Sequence, residues 1–435
     1  MNAIRILLLS FLIPSEFNFI LGSFVLSAYR LILIFLIPYV VWSILTKTRA
    51  VRWNACDAFA LAIGVWPMIA FGLNTGMGAA FESGGILALE LVLPYFLIRL
   101  NINTHQQRIA FSKVLFLVVA ILFFLGLPES ISGRHFTHEL ASALSGANYN
   151  GSPEQRFGIW RAMGPTDHAI IFGTLCAIAM ATAIAMAKRR PKFWFIAIFS
   201  GAGALMSASS APILAVMVQL AMLAWVRITR GRKNRWWLLL GLFLAFYIVV
   251  DILSNRDPIR VMFTYLLLNP ETGYARYYMW VNSFEVVAQS TWGLFFGYGY
   301  DIGIFAIIEN QYWRHLLENT VDSFWLVMML RFGLTSLLLF SIFVILVLAR
   351  SLRYVFDRHH KRERHFMQAW FITAFAMTLI ATTVHFWGYM ASMYMMVLAV
   401  CVGGERSRKK VEIQSRLEPS KTANKTFRRR HPIDA

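Results

Sequence analysis

Arginine is the side chain with the clearest chemical potential in this sequence, because it recurs in two polar segments that interrupt long apolar stretches. The first segment covers 128–166 and the second covers roughly 254–320. Their candidate arginines are Arg156 and Arg161 in the first and Arg256, Arg260, Arg276 and Arg314 in the second. A guanidinium stays protonated and presents a planar fork that pairs with two phosphate oxygens. The pattern favours recognition of a diphosphate without metal, and pairing with carboxylates or lipid headgroups is the alternative for each arginine taken alone.

Several catalytic signatures are missing from the sequence. It contains no Walker-type phosphate loop, no H-E-x-x-H pair and no D-x-D pair, so an ATP-driven pump or a nucleotide-sugar transferase is not expected. Cys56, Cys176 and Cys401 show no paired spacing, which argues against disulfides and zinc. His135 and His138 have helix-like metal spacing, but we interpret them as ordinary loop residues. We therefore expect neither cofactor nor metal.

Composition places the chain among membrane proteins. Of its 435 residues, 58% are hydrophobic and only 14% are charged, whereas charged residues make up about 25% of soluble domains. The net charge of +19 lies in short loops beside apolar stretches and in the C-terminal tail. Anionic lipid at the cytoplasmic face is the partner that this arrangement predicts, and nucleic acid is not expected.

Basic clusters indicate how the chain is threaded through the membrane. Cytoplasmic loops collect Lys and Arg because these side chains resist translocation. Six clusters follow one another with room for two crossings between neighbours, at 47–52, 99–113, 188–192, 227–235, 350–364 and from 406 onward. The spacing predicts that all six clusters and both termini are cytoplasmic. The two arginine-containing segments then lie on the opposite, extracytoplasmic side.

A spanning helix needs roughly 20 apolar residues, which predicts an all-α polytopic protein with about 12 crossings. The N-terminal stretch has no small-residue cleavage site, so we interpret it as a retained span. The predicted spans are 4–20, 27–46, 55–73, 82–100, 108–127, 167–187, 193–208, 211–227, 236–253, 321–349, 366–383 and 385–402. Residues 1–403 then form one transmembrane domain, and 404–435 form a basic cytoplasmic tail.

Two segments of this assignment depend on local sequence features. A polar break at 207–212 divides 193–227 into two short helices, because a single helix would place the later basic clusters outside. In the second external segment, Pro270 and Glu271 are typical of a helix start. The stretch that follows, 274–289, is helix-permissive, so this segment is predicted to be partly helical.

Three motifs in chain order resemble those of the O-antigen ligase and polymerase superfamily. Arg161, Gly164, Pro165 and His168 are similar to an "R-x-x-G-P-x-x-H-P" loop before a central span, with Ala169 in place of the last proline. Arg276 and Trp280, followed by Gly297-Tyr-Gly299, resemble an "R-x-x-x-W … F-G-x-G" segment. Val321-Asp322-Ser323-Phe324, ahead of Gly333, resembles the start of the superfamily's late span, where ligases carry His-Asn and many polymerases carry Asp-Asn or Asp-Ser.

The resemblance implies a glycosyltransferase of the bacterial inner membrane that acts on polyprenyl-diphosphate-linked oligosaccharides. On this basis Arg276 binds the diphosphate and Asp322 is the base or orients the acceptor hydroxyl. Further substrate-binding candidates are Arg156, Arg161, His168, Arg260 and Ser323. The alternative role for Asp322 is that of a helix cap. The resemblance also implies that a chain-length regulator protein is a possible partner.

Three functions remain open at this point. Asp322, where ligases carry His, favours a polymerase of surface polysaccharide over a ligase that transfers glycan to lipid A core. A flippase for lipid-linked saccharides is the alternative from another class, but it needs more cationic residues across its spans than this chain offers. Glu90 and Arg331 both lie within apolar stretches, where a charge seeks a partner, and we ask whether they pair with each other.

Overall fold

Apolar helices dominate the chain and establish it as a helical membrane protein. The computed structural model describes residues 1–21, 24–46, 53–232, 234–253, 257–266, 270–301, 303–356 and 361–402. Within these ranges, 8 helical stretches are long and apolar enough to cross a bilayer, and shorter apolar helices cover Phe193–Met206 and Tyr389–Val402. The all-α membrane class is confirmed, while the number of about 12 crossings stays a prediction.

The first half of the chain alternates long helices with short connecting elements. Its helices are α1 (Asn2–Ser10), α2 (Ala28–Leu45), α3 (Ala55–Asn74), α4 (Met77–Ala79), α5 (Gly85–Asn101), α6 (His105–Ser132), α7 (Phe136–Ser145), α8 (Ala169–Ala177), α9 (Met180–Ala187), α10 (Phe193–Met206) and α11 (Ser210–Ile228). A π-helical turn, Ala80–Gly84, leads into α5. Two antiparallel hairpins are formed by β1 (Asn18–Leu21) with β2 (Phe24–Ser27) and by β3 (Gln155–Arg156) with β4 (Ile159–Trp160).

The second half contains the helical external segment and the last long helices. These helices are α12 (Arg235–Leu253), α13 (Pro258–Leu266), α14 (Pro270–Ala288), α15 (Thr291–Phe296), α16 (Gln311–Asn319), α17 (Phe324–Phe356), α18 (Lys361–Ile380) and α19 (Tyr389–Val402). A 3-10 turn covers Gly303–Ile307. The helix predicted from Pro270 onward is present as α14. The predicted basic tail lies outside the described residues.

The predicted spans differ from the structure at the N-terminal stretch and at the last two helices. The stretch 4–20 is not one helix, because α1 ends at Ser10 and a hairpin begins at Asn18. At 1.5 Å per residue, a helix of 9 residues is about 13 Å long, less than half of a bilayer's hydrocarbon core. The stretches 366–383 and 385–402 were predicted to meet at one residue. Instead α18 ends at Ile380 and α19 begins at Tyr389, so the connecting turn is 381–388.

Many large apolar side chains are exposed on the long helices, as contact with lipid requires. Phe35 on α2 is 78% exposed, and Trp237 on α12 is 72% exposed. No residue of the most apolar window of α12 is buried. In water such a surface would be an aggregation hazard, whereas lipid chains cover it without cost.

Glu90 and Arg331, the two charges predicted to lie within apolar stretches, have separate neighbours. The Glu90 carboxylate on α5 accepts a hydrogen bond from the Tyr29 hydroxyl. It also forms an ion pair with Arg30, whose Nε atom lies 2.8 Å from Glu90 Oε1. The predicted pair of Glu90 with Arg331 is therefore wrong. The Arg331 guanidinium lies 4.5 Å from the ring centre of Tyr300. Pairing lowers the cost of keeping these charges away from water, since an isolated charge at mid-membrane is expensive.

Helix α17 is broken at Gly333, where φ is 79° and ψ is 174°. A broken helix frees backbone carbonyls, which need new partners inside a membrane. The partners are Tyr298 N–H for the Leu330 carbonyl at 2.9 Å, Gly299 N–H for the Arg331 carbonyl at 3.0 Å, and the Trp66 indole for the Phe332 carbonyl at 2.8 Å. The Gly297-Tyr-Gly299 motif thus joins the external segment to α17.

Candidate functional site

Arg276 and Asp322 form the centre of the predicted site. Arg276 lies on α14, Asp322 lies two residues before α17, and the Nη2 and Oδ2 atoms of the two side chains are 3.9 Å apart. The Arg276 side chain is 8% exposed, whereas that of Asp322 is 44% exposed. The other carboxylate oxygen of Asp322 accepts a hydrogen bond of 2.8 Å from the Thr320 hydroxyl. The buried guanidinium of Arg276 therefore lies next to the partly exposed carboxylate of Asp322.

The cap of α17 is Ser323 and not Asp322. The Ser323 hydroxyl accepts a hydrogen bond of 3.3 Å from the Leu326 N–H and donates one of 3.4 Å to the Ala381 carbonyl. Its residue is 1% exposed. The geometry gives Ser323 a structural position and offers no support for its predicted substrate-binding role. The Asp322 carboxylate remains available for partners outside α17.

The buried face of α14 holds Arg276 in place. Trp280 and Ser283 follow it on the same face at helical spacing, and the Trp280 indole donates to the Thr382 carbonyl at 3.2 Å. Burial lowers the pKa of Arg276, Asp322 raises it and Arg156 lowers it. The Nε and Nη1 atoms of Arg276 are buried and have no hydrogen-bond partner among the described residues. Such donors are costly unless an anion satisfies them.

Arg156 and Arg161 lie beside the β3–β4 hairpin and share the carboxylate of Glu154. Arg156 donates from Nε to Glu154 Oε1 at 2.7 Å, and Arg161 pairs with the other oxygen. Arg161 also donates from Nε to the Ser207 carbonyl at 3.1 Å. Its Nη2 atom is buried and unpaired within the described part of the chain. The Arg161 side chain is therefore buried and keeps one N–H donor, Nη2, without a partner among the described residues, whereas the Arg156 side chain is 48% exposed.

Glu129, at the end of α6, orders the loop that follows the hairpin. Its Oε2 atom accepts hydrogen bonds from the N–H groups of Met163 and Gly164 at 3.0 and 2.7 Å. Its Oε1 atom accepts one of 2.7 Å from the Thr137 hydroxyl. Glu129 is 1% exposed, so these bonds replace hydration of the carboxylate. Sequence analysis missed Glu129 because a single carboxylate at a helix end forms no motif.

His138 contacts the same loop from α7. Its Nε2 atom lies 3.0 Å from the Thr166 carbonyl and its Nδ1 atom lies 2.7 Å from Glu16 Oε1. His135 instead contacts the hydroxyl of Tyr149. His138 thus anchors the loop, and the two histidines have different hydrogen-bond partners. In the described ranges, no three His, Cys, Asp or Glu side chains are arranged to hold a metal ion.

His168 stands at the start of α8 and faces both halves of the site. Its Nδ1 atom accepts a hydrogen bond of 3.1 Å from the Ile170 N–H, so the hydrogen of the neutral ring is on Nε2. Burial lowers the pKa of His168, Arg161 lowers it, and Asp322 raises it. Charges from the end of the hairpin and from the start of α17 thus both act on this ring. His168 offers a neutral N–H donor.

Arg260 and Arg314 do not join this cluster. The Arg260 guanidinium lies 4.8 Å from the ring centre of Tyr274, which occupies the opposite face of α14 from Arg276 by the 100° helical step. The predicted substrate-binding role of Arg260 therefore has no geometric support. Arg314 donates to the Ile308 carbonyl at 2.7 and 3.0 Å. Arg256 lies outside the described residues.

The turn 381–388 is a part of the site that sequence analysis missed. The Phe324 N–H lies 3.0 Å from the carbonyls of both Ala381 and Val384. The turn also accepts the Trp280 hydrogen bond described above, so it contacts both α14 and the start of α17. Its signal in the sequence is a polar and aromatic interruption, Thr382, Thr383, His385 and Trp387, between two apolar stretches.

The site as a whole is suited to an anion. Three guanidinium groups, of Arg156, Arg161 and Arg276, lie beside the carboxylates of Glu154 and Asp322. Unpaired buried N–H donors remain on Arg161 and Arg276. Guanidinium donors enclosed by protein bind phosphate oxygens more strongly than donors in water do. A phosphate or diphosphate is the ligand class that this arrangement fits.

No family model matches the sequence, and no curated protein is significantly similar to it. By its composition and fold, the chain is a helical membrane protein with an arginine-rich polar cluster at one end of its bundle. Its function is therefore argued from the cluster itself.

Proposed function

We propose that this protein is an integral-membrane glycosyltransferase that polymerises polyprenyl-diphosphate-linked oligosaccharide units in bacterial surface polysaccharide synthesis. The reaction takes place at the extracytoplasmic face of the inner membrane and needs no metal. Three motifs of the sequence resemble the O-antigen ligase and polymerase superfamily. Of their residues, Arg276 lies 3.9 Å from Asp322, and the charges of Arg161 and Asp322 both act on His168.

The observation that carries the proposal is the state of Arg276. Its side chain is 8% exposed, its Nη2 atom lies 3.9 Å from Asp322 Oδ2, and its Nε and Nη1 atoms have no partner among the described residues. An arginine with a purely structural role would donate hydrogen bonds from these atoms to carbonyls or carboxylates, as Arg314 does to the Ile308 carbonyl. A residue that binds a diphosphate needs N–H donors that have no partner until the substrate binds, as these two donors of Arg276 do.

Arg276 and Asp322 can divide the reaction between them. The oxygen of the acceptor hydroxyl attacks C1 of the donor sugar, and the bond between C1 and the diphosphate oxygen breaks. The electron pair of that bond stays on the diphosphate, where Arg276 stabilises the developing charge. The proton of the hydroxyl passes to the Asp322 carboxylate, which is accessible from outside. Arg161 and Arg156 position the diphosphate, and His168 donates a hydrogen bond from Nε2.

The charge pattern supports this orientation in the membrane. Basic clusters beside the spans are placed in the cytoplasm, near anionic lipid, and the arginine cluster is placed on the other side. The C-terminus is then cytoplasmic, whereas α1, with 9 residues, is too short to carry the N-terminus across the bilayer.

A flippase finds less support than an enzyme does. Its substrate path would need free cations across the spans, but Arg30 pairs with Glu90 and Arg99 pairs with Asp57 at 2.8 and 2.7 Å. A ligase would use the same donor chemistry and would differ in its acceptor, lipid A core in place of a second lipid-linked unit.

Analysis of polysaccharide from a deletion strain tests the proposal. We expect single repeat units on lipid A and lipid-linked single units outside the membrane. A ligase would instead leave long chains unattached to lipid A, and a flippase would leave lipid-linked units inside. Either result contradicts a polymerase.

Complementation with Arg276→Lys tests the site itself. We expect about 100-fold less polymer, because a lysine cannot present the paired donors of the fork. Arg134→Lys is the matched control, since Arg134 is 65% exposed and pairs with Glu139 in the other external segment. Long chains at wild-type yield from Arg276→Lys, at equal membrane abundance, would remove Arg276 from the mechanism.

A further inference from the structure

The turn 381–388 lies against both elements that carry the reacting groups. Phe324, two residues after Asp322, donates its N–H to this turn, and Trp280, one helical turn after Arg276, donates its indole N–H to Thr382 at 3.2 Å. Whatever binds between Arg276 and Asp322 therefore has this turn as a neighbour. None of the motifs used for the proposed function includes it.

Aromatic rings extend along the turn toward His168. The ring centres of His168 and Trp387 are 5.7 Å apart, and those of Trp387 and His385 are 5.9 Å apart. His385 in turn stacks on Phe324, with centres 6.3 Å apart and planes 19° from parallel. The rings connect the start of α8 with the start of α17.

Polar atoms on these rings are unused. The Nδ1 atom of His385 is buried and has no partner in the described residues. Neither Nε2 of His385 nor the Trp387 indole N–H makes a hydrogen bond there, and both residues are partly exposed. On His168 only Nδ1 is engaged, by Ile170. Through His168 these atoms lie beside the arginine cluster.

We propose that the turn 381–388 is a saccharide-binding subsite, in which Trp387 stacks on the sugar next to the diphosphate and His168 and His385 hydrogen-bond its hydroxyls. A sugar ring presents polarised C–H bonds on its faces, which the negative face of an indole attracts. A neutral imidazole supplies one donor and one acceptor, which matches a hydroxyl. Burial, more than the nearby Arg331, lowers the pKa of His385 to about 3, so its ring is neutral.

This inference rests on the proposed function, and equilibrium binding separates the two. The full-length protein in nanodiscs is titrated with undecaprenyl diphosphate and with the lipid-linked saccharide pool purified from the host strain that lacks it. We expect wild type to bind the saccharide-bearing lipid more tightly. Trp387→Leu should weaken that binding by about tenfold and leave binding of undecaprenyl diphosphate unchanged.

Two further variants separate recognition from folding. Trp387→Phe should keep most of the affinity for the saccharide-bearing lipid, because it retains a ring. Trp237→Leu is the control for loss of an indole, since Trp237 is 72% exposed on α12. Equal losses for both lipids in Trp387→Leu, or no loss, would overturn the subsite. If wild type binds neither lipid and Arg276→Lys changes nothing, the proposed function fails first.

Discussion

Gly297 and Gly333 pack backbone against backbone at the break in α17. Their φ angles are 68° and 79°, a region that favours glycine. A Cβ atom on Gly333 would lie 2.2 Å from the Phe295 carbonyl oxygen, and one on Gly297 would lie 2.4 Å from the Arg331 carbonyl carbon. This contact attaches the external segment, which carries Arg276, to the helix that follows Asp322.

Gly333→Ala should destabilise the protein and reduce polymer synthesis. The substitution adds strain of about 1 to 3 kcal/mol for the positive φ and a clash with a backbone oxygen that cannot move aside. The free energy of unfolding should fall by at least that amount. Thermal unfolding of the purified protein in detergent measures it.

Gly241→Ala is the matched control for that change. Gly241 lies within α12, and a Cβ there would meet nothing within 4 Å. A helix gains slightly from this replacement, so its melting temperature should not fall. Equal melting temperatures for Gly333→Ala and wild type would contradict the packing described here.

Glu129→Gln should loosen the loop that carries Arg161 and His168. The amide loses one of the two acceptors that serve Met163, Gly164 and Thr137, which costs about 1 to 3 kcal/mol for a buried group. We expect faster proteolysis within 146–166 and less polymer. Glu139→Gln is the comparison, because Glu139 is 39% exposed and pairs only with Arg134 among the described residues. Unchanged cleavage of the Glu129 variant would show that its carboxylate does not order the loop.

Stability should fall as the pH decreases below about 6.5, the ordinary pKa of histidine. Burial lowers the folded-state pKa of His385 to about 3, so the unfolded chain takes up a proton that the folded chain does not. The unfolded state is then favoured progressively as acid is added. His385→Phe removes this contribution, and its melting temperature should decrease less than that of wild type between pH 7 and pH 5. Parallel curves would contradict it.

Charge reversal should identify the partner of Glu90. Glu90→Arg places two cations together, Arg30 and the new arginine, and should reduce folded protein in the membrane. Adding Arg30→Glu should restore part of it, because the pair re-forms with opposite polarity. Adding Arg331→Glu instead should not. Detergent extraction followed by size-exclusion chromatography measures the folded fraction, and rescue by Arg331→Glu alone would contradict the observed pair.

Site residues could be predicted where the residue type and a local motif are enough to indicate their chemistry. Arg276, Asp322, Arg161 and His168 were selected from residue type and motif, and they lie together. Arg260 and Ser323 were selected on the same grounds, but Arg260 lies against Tyr274, and Ser323, although next to Asp322, is a helix cap. Helical phase around α14 separates Arg260 from Arg276, and a hydrogen bond in the cap of α17 occupies Ser323. Neither of these is apparent from spacing within a motif.

Composition and charge by themselves determined that this chain is a helical membrane protein, because a bilayer demands long apolar helices and basic cytoplasmic loops regardless of packing. Tertiary structure alone decided which polar groups meet. Glu90 pairs with Arg30 and not with Arg331, the short N-terminal helix does not extend to residue 20, and the turn 381–388 reaches the site. Each depends on contacts between residues far apart in the chain, and hydrophobicity along a sequence carries no information about which helices are neighbours.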